Sequence, residues 1–128
     1  MPGQPSIDIH AHFFPEGYLK LIEAEGAPDG VSCSFAADGI PTIDGGTKGG
    51  SPIERRFFDI DVRVEAMDKQ NIDIHALSLT TPMVYWASDD LSLRLSQAYN
   101  DGCVIAHEKY PDRFVGLAIL PMLAPKLA

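Results

Sequence analysis

The chain has 128 residues, 45% of them hydrophobic and 22% charged, a size and composition that fit one soluble globular domain and exclude intrinsic disorder. Ten Lys and Arg stand against eighteen Asp and Glu, and a net charge of -8 repels a phosphate backbone, which excludes nucleic acid as a partner. No apolar run approaches the roughly 20 residues needed to span a bilayer, and Met1 to Ser6 carry no basic n-region, so no membrane partner and a cytoplasmic location are expected.

Ser6 to His10 alternates apolar and polar residues, the pattern of a half-buried strand with Ile7 and Ile9 on one face and Asp8 and His10 on the other. Gly17 to Glu25 predicts a short helix with Tyr18, Leu21 and Ile22 at helical spacing, broken at Gly26-Ala27-Pro28. Val31 to Ala36 and Ile40 to Ile43 flank Ala37-Asp38-Gly39, and an Asp-Gly pair between two strand-like runs predicts a hairpin. Asp44 to Pro52, rich in Gly with Thr47, Lys48 and Ser51, predicts a mobile loop.

Asp59 or Asp61 caps a predicted amphipathic helix in which Ile60, Val64 and Met67 recur up to Gln70. Asp73 to Leu79 reads as a strand stopped by Thr80-Thr81-Pro82. Ser88 with Asp89 and Asp90 opens a long helix, with Leu91, Leu95, Ala98 and Val104 or Ile105 expected inward until Tyr110-Pro111. Phe114 to Leu120 reads as a strand covered on both faces and closed by Pro121. This alternation builds a parallel sheet with helical crossovers, and a closed eight-stranded barrel takes roughly 250 residues, so either a small open sheet or part of a barrel is expected.

Chemistry concentrates in His10-Ala11-His12. Residues i and i+2 of a strand point to one side, so both imidazoles can converge on one ion while Ala11 points away; Asp8, two residues earlier, is expected on the same face. Phe13-Phe14-Pro15 follows and offers a shell that excludes water. Other polar positions read as structure: His75 as a satisfied core or interface residue, His107 as a surface residue, Asn100-Asp101 as solvated or local caps. Gly45-Gly46 and Gly49-Gly50 lack the strand-to-helix context of a phosphate loop. Cys33 and Cys103 lie far apart without CxxC spacing and read as free thiols.

Three blocks in order, IDIHAHFFP (Ile7 to Pro15), RVEAMDKQNIDIHALSLTTPMVYW (Arg63 to Trp86) and YNDGCVIAHEKYPDRFVGLAILPM (Tyr99 to Met122), resemble the N-terminal third of metal-dependent amidohydrolases related to aminocarboxymuconate semialdehyde decarboxylase. The resemblance implies an α/β fold, the N-terminal part of a (β/α)8 TIM-like barrel with a small β-hairpin insertion after strand 1. Residues 1–128 would be one partial domain with the first three barrel strands, the hairpin and glycine-rich insert lying at about 27–57.

His10 and His12 match the family's first-strand ligands for one divalent metal ion, zinc or, as the alternative, manganese. The family's other ligands, a His and an Asp of later strands, and its catalytic His have no counterpart before Ala128. The implied function is a metal-dependent decarboxylase or hydrolase of a small carboxylated substrate, inactive as this chain alone. Arg55 and Arg56 lie near where relatives bring arginines to the substrate carboxylate, and Trp86 lies on a strand C-terminal loop where barrel active-site walls are built; exposed arginines and a packed aromatic are the structural alternatives. A non-catalytic module that self-associates through open strand edges, giving a homodimer, is the competing function.

Overall fold

The computed structural model describes residues 3–45 and 49–128; Gly46, Thr47 and Lys48, the centre of the expected mobile loop, lie outside the described residues. In chain order the elements are β1 (Ile7–His12), α1 (Glu16–Glu25), β2 (Ser32–Phe35), β3 (Pro41–Asp44), β4 (Ser51–Pro52), α2 (Ile60–Gln70), β5 (Ile74–Ser78), α3 (Asp89–Lys109) and β6 (Phe114–Gly116). Strands β1, β5 and β6 pair in that order, both pairs parallel, while β2, β3 and β4 form a separate antiparallel sheet. Helices α2 and α3 make the two crossovers that parallel pairing requires.

Local chemistry explains both ends of α2 and the turn between β2 and β3. Asp59 caps α2 by accepting from the backbone N–H of Asp61 and Val62 at 3.1 and 3.2 Å. At the other end Asn71 takes the left-handed conformation at φ 55°, which a short polar side chain tolerates. In the turn between β2 and β3, Asp38 Oδ1 accepts from Ile40 N at 3.0 Å and Gly39 adopts φ 80°, a conformation that costs glycine nothing.

Helix α3 does not use Ser88 as a side-chain cap; Ser88 N instead donates to Asp29 Oδ2 at 2.8 Å, which ties the helix start to the turn after α1. Its buried stripe is Leu91, Leu95, Tyr99, Cys103 and Ala106, so the expected inward placement of Val104 or Ile105 is corrected: both are exposed. Burying Tyr99 and Cys103 rotates these two residues to the far side of a 3.6-residue helix.

The core lies on one face of the parallel sheet, where Leu77 and Phe114 meet Tyr18, Ile22, Met67, Leu95 and Tyr99. Among the described residues nothing covers its other face. Ile7 is 55% and Val115 50% exposed, and Ile9, Leu117 and Leu120 are exposed as well. Two expectations are corrected: Ile7 and Ile9 are not the buried side of β1, and Phe114 to Leu120 is covered on one face only, with its strand ending at Gly116. The reason is that alternation fixes which residues share a face, whereas the layer packed on that face decides burial.

Gly102 lets α3 approach the start of α1. A Cβ at this position would lie 2.1 Å from Pro15 Cβ and 2.6 Å from its Cγ. The better helix propensity of alanine cannot offset that overlap, so Gly102→Ala is expected to destabilise the chain by about 1–3 kcal/mol. Urea denaturation checks this; a stabilised variant would mean that the two helices separate without cost.

Candidate metal centre

The end of β1 departs from a regular strand. Asp8 pairs with His75 and Ala11 with Leu77, so three residues of β1 advance against two of β5, a β-bulge at Ile9-His10 in which Asp8 Oδ1 accepts from His10 N at 2.9 Å. Parallel partners share a face. Asp8 and Ala11 therefore lie on the helix-covered face with His75 and Leu77, and His12 lies on the bare face with Ser78. The expectation that Asp8 shares the face of both histidines is corrected by this bulge.

The two imidazoles do come together, with ring centroids 4.8 Å apart and planes at 75°, while Ala11 between them is buried. Ser78 Oγ stands 3.4 Å from His12 Nδ1, a long contact. Partial burial, then the neighbouring His10 and Arg63, hold the His12 imidazole below its ordinary value of 6.5, which favours the neutral, metal-ligating form at neutral pH.

Behind the pair lies a small cluster that the sequence motifs did not single out. A cavity of about 240 Å³ is lined by Asp8, His10, His12, Arg56, Arg63 and His75, among others. Arg63, from α2, is buried; it donates from one guanidinium nitrogen to the backbone oxygen of His12 and sets another 3.2 Å from His75 Nδ1. Arginine can only donate, so His75 Nδ1 accepts and the proton of the neutral ring sits on Nε2, 3.7 Å from Asp8 Oδ2. Burial pushes the Arg63 guanidinium down to about 10, with Arg56 adding to the effect. The signal for Arg63 was present in the sequence: a cation at 63 on the stripe Ile60, Val64, Met67 is on the buried side of its own helix.

His75 is held below 6.5 by burial first and then by Arg63. Above 6.5 the ring is neutral in folded and unfolded chains and contributes nothing to pH dependence. Below 6.5 the unfolded chain binds the extra proton, so stability is expected to fall with acidification, by at most about 1.4 kcal/mol per pH unit from this group. Urea midpoints between pH 7.5 and 5 test this against His75→Gln; an equal slope in both proteins would remove His75 as the cause.

The other expected site residues are placed apart. Arg56 lines the cavity and pairs with Glu54 at 2.7 Å, an exposed bridge. Arg55 donates to the Asp38 carbonyl at 2.9 Å and lies 3.9 Å from Asp59, outside the cavity. Trp86 packs against the core and donates to the Met83 carbonyl at 3.1 Å, also outside it. His107 is exposed, with Nδ1 2.7 Å from the Phe114 carbonyl, and Asn100 clamps the loop after β6 through both the N–H and C=O of Ile119. Cys33 and Cys103 are free and buried.

Among the described residues no group of three or more His, Cys, Asp or Glu side chains is arranged to hold a metal ion. The donor set nevertheless suits one. Two imidazoles serve zinc or manganese, and a tetrahedral shell built on them needs at least two further donors. No helix among the described residues is long and apolar enough to cross a membrane.

No family model matches the chain. A 2-amino-3-carboxymuconate-6-semialdehyde decarboxylase of Dictyostelium discoideum is 36% identical over 122 residues, covering 91% of this chain and 33% of the relative. A gamma-resorcylate decarboxylase of Rhodococcus jostii is 39% identical over 80 residues, covering 59% of this chain and 24% of the relative. The crystal structure of 5-carboxyvanillate decarboxylase from Novosphingobium aromaticivorans, complexed with manganese and 4-hydroxy-3-methoxy-5-nitrobenzoic acid, matches 96% of this chain and 36% of its own, with a TM-score of 0.69 and 25% identity. The structural neighbours are TIM-barrel amidohydrolases, several of them decarboxylases; the described residues of this chain are α/β and form no closed barrel. By sequence and by fold it is a homologue of the aminocarboxymuconate semialdehyde decarboxylase-like proteins of the amidohydrolase superfamily, spanning about a third of the length of the curated relatives it matches.

Proposed function

We propose that this chain is the segment of a metal-dependent decarboxylase that supplies the first two metal ligands, His10 and His12, and one wall of the site for a small carboxylated aromatic substrate. The observation that carries this reading is the convergence of the two imidazoles where β1 leaves a parallel sheet, in a homologue of decarboxylases. Strand ends of that kind are where barrel active sites are built. The substrate class follows the relatives, which include decarboxylases of gamma-resorcylate and 5-carboxyvanillate.

Within the site, His10 and His12 would hold the ion, with manganese, present in the related structure, and zinc as the two candidates. Held by these two imidazoles, a divalent ion would supply Lewis-acid polarisation of a substrate oxygen and would lower the pKa of water bound to it. Arg56 is assigned the substrate carboxylate, which its planar fork matches once the exposed bridge to Glu54 opens. Arg55 and Trp86 frame the approach from outside the cavity. The antiparallel sheet of β2, β3 and β4 is read as an insertion after the first barrel strand, and residues 1–128 as one partial domain. The 128 residues alone are read as inactive, because among the described residues two imidazoles do not complete a metal site.

A CO2-release assay with gamma-resorcylate and 5-carboxyvanillate tests the reading. Turnover is expected from a protein that carries this segment at the length of its relatives, lost on chelation, and none from the 128-residue chain. Enzyme-like turnover by the short chain would overturn its inactivity, and metal-independent turnover would overturn the role of the histidines.

A second reading, self-association of the chain as a homodimer, is favoured by the bare sheet face at Ile7, Ile9, Val115 and Leu117. Light scattering decides it, since a monodisperse species of 13.9 kDa is the monomer.

A further inference from the structure

Arg63 is 5% exposed and forms no ion pair with a carboxylate among the described residues. Its guanidinium faces the carbonyl of His12, Nδ1 of His75 and, at 5.8 Å from the centroid, the ring of Phe13, and its Nε has no hydrogen-bond partner. A buried cation with no carboxylate in ion-pair contact is a costly arrangement, although Asp8 lines the same cavity. What it holds is specific. Phe13 N donates to Ser78 O in the β1–β5 ladder, so by the alternation of a parallel pair the carbonyl of His12 faces the free edge of β1, where no strand among the described residues bonds it. Arg63 fills that role from α2, and its second nitrogen reaches β5 through His75. The bulge at Ile9-His10 interrupts the ladder immediately before this stretch, so His10 lies outside the regular pairing.

We infer that Arg63 is a positioning residue for the histidine pair: by bridging the His12 carbonyl and the His75 ring it locks the end of β1 between α2 and β5 and so sets the direction of both imidazoles. This rests on the reading of His10 and His12 as metal ligands, and groups that orient ligands from outside the coordination shell are worth about 10- to 100-fold in metal affinity.

The test compares the wild-type chain with Arg63→Lys, which keeps the charge and the buried stem but cannot bridge two acceptors as a planar fork does. Met67→Ala, on the same helix, controls for loss of stability. Two readouts are taken by NMR on samples whose circular dichroism is native: the three-bond couplings that report χ1 of His10 and His12 without metal, and the manganese concentration that broadens their ring resonances. Couplings of one rotamer in the wild type and in Met67→Ala, averaged in Arg63→Lys, together with a midpoint raised about 10- to 100-fold in Arg63→Lys alone, are expected. Unchanged couplings in folded Arg63→Lys overturn the inference, as does equal averaging in Met67→Ala. If manganese does not broaden the wild-type imidazoles, the metal reading falls instead, while the couplings still decide what Arg63 positions.

Discussion

A chain carrying both His10→Ala and His12→Ala is expected to lose specific manganese and zinc binding while keeping its fold. Neither ring contributes to the packed core: His10 is exposed, His12 is half-buried, and the only buried residue of the motif, Ala11, is untouched. Substitutions at such positions change stability by within about 0.5 kcal/mol, so the thermal midpoint without metal should stay near that of the wild type. Metal binding, in contrast, is expected to need both nitrogen donors. Because at least two coordination positions are left to water, the wild-type chain is expected to bind weakly, and its stabilisation by metal should grow only as the metal exceeds a high Kd, reaching about 2.7 kcal/mol at 100 times that value. Titration calorimetry at pH 7.5, with the double variant alongside, checks this. Tight one-to-one binding that the variant abolishes would mean that the chain completes its own site, as two copies can across a dimer; binding that survives in the variant would remove the motif from the metal site.

Leu77→Ala and Val115→Thr are expected to differ widely although the two residues lie on neighbouring, paired strands. Leu77 is fully buried under the helices, and removing its side chain leaves a cavity that costs about 2–5 kcal/mol. That is a large share of the 5–15 kcal/mol typical of a domain. Val115 is 50% exposed on the bare face, and its replacement is expected to cost no more than about 0.5 kcal/mol. Urea denaturation of both variants at fixed pH measures the contrast. A comparable loss at Val115 would mean that the bare face is covered in solution, which is the signature of self-association.

Much of this architecture was legible because its determinants are local. Asp59 caps α2 through its own backbone neighbours, Asp38 and Gly39 close their turn within a few residues, and the apolar runs around Ala76 and Val115 become adjacent parallel strands. The histidine pair was legible for the same reason, since i and i+2 spacing brings two rings together once the segment is extended.

Long-range contacts decided the remainder. Whether Ile7, Ile9 and Val115 are buried depends on a layer that these residues do not encode, and among the described residues that face carries none. Asp8 changes face because one extra residue in β1 shifts its register against β5, an event that two-residue periodicity has no means to display. Arg63 is solvated or buried according to what lies across from α2. The sequence by itself determined the order of the elements apart from β4, which lies in the stretch expected as a loop, together with the Asp59 cap of α2 and the His10-Ala11-His12 motif, all set by interactions within a few residues. Only the tertiary structure decided which face is bare, where Asp8 points and that Arg63 holds the end of β1, because each depends on contacts between residues dozens of positions apart.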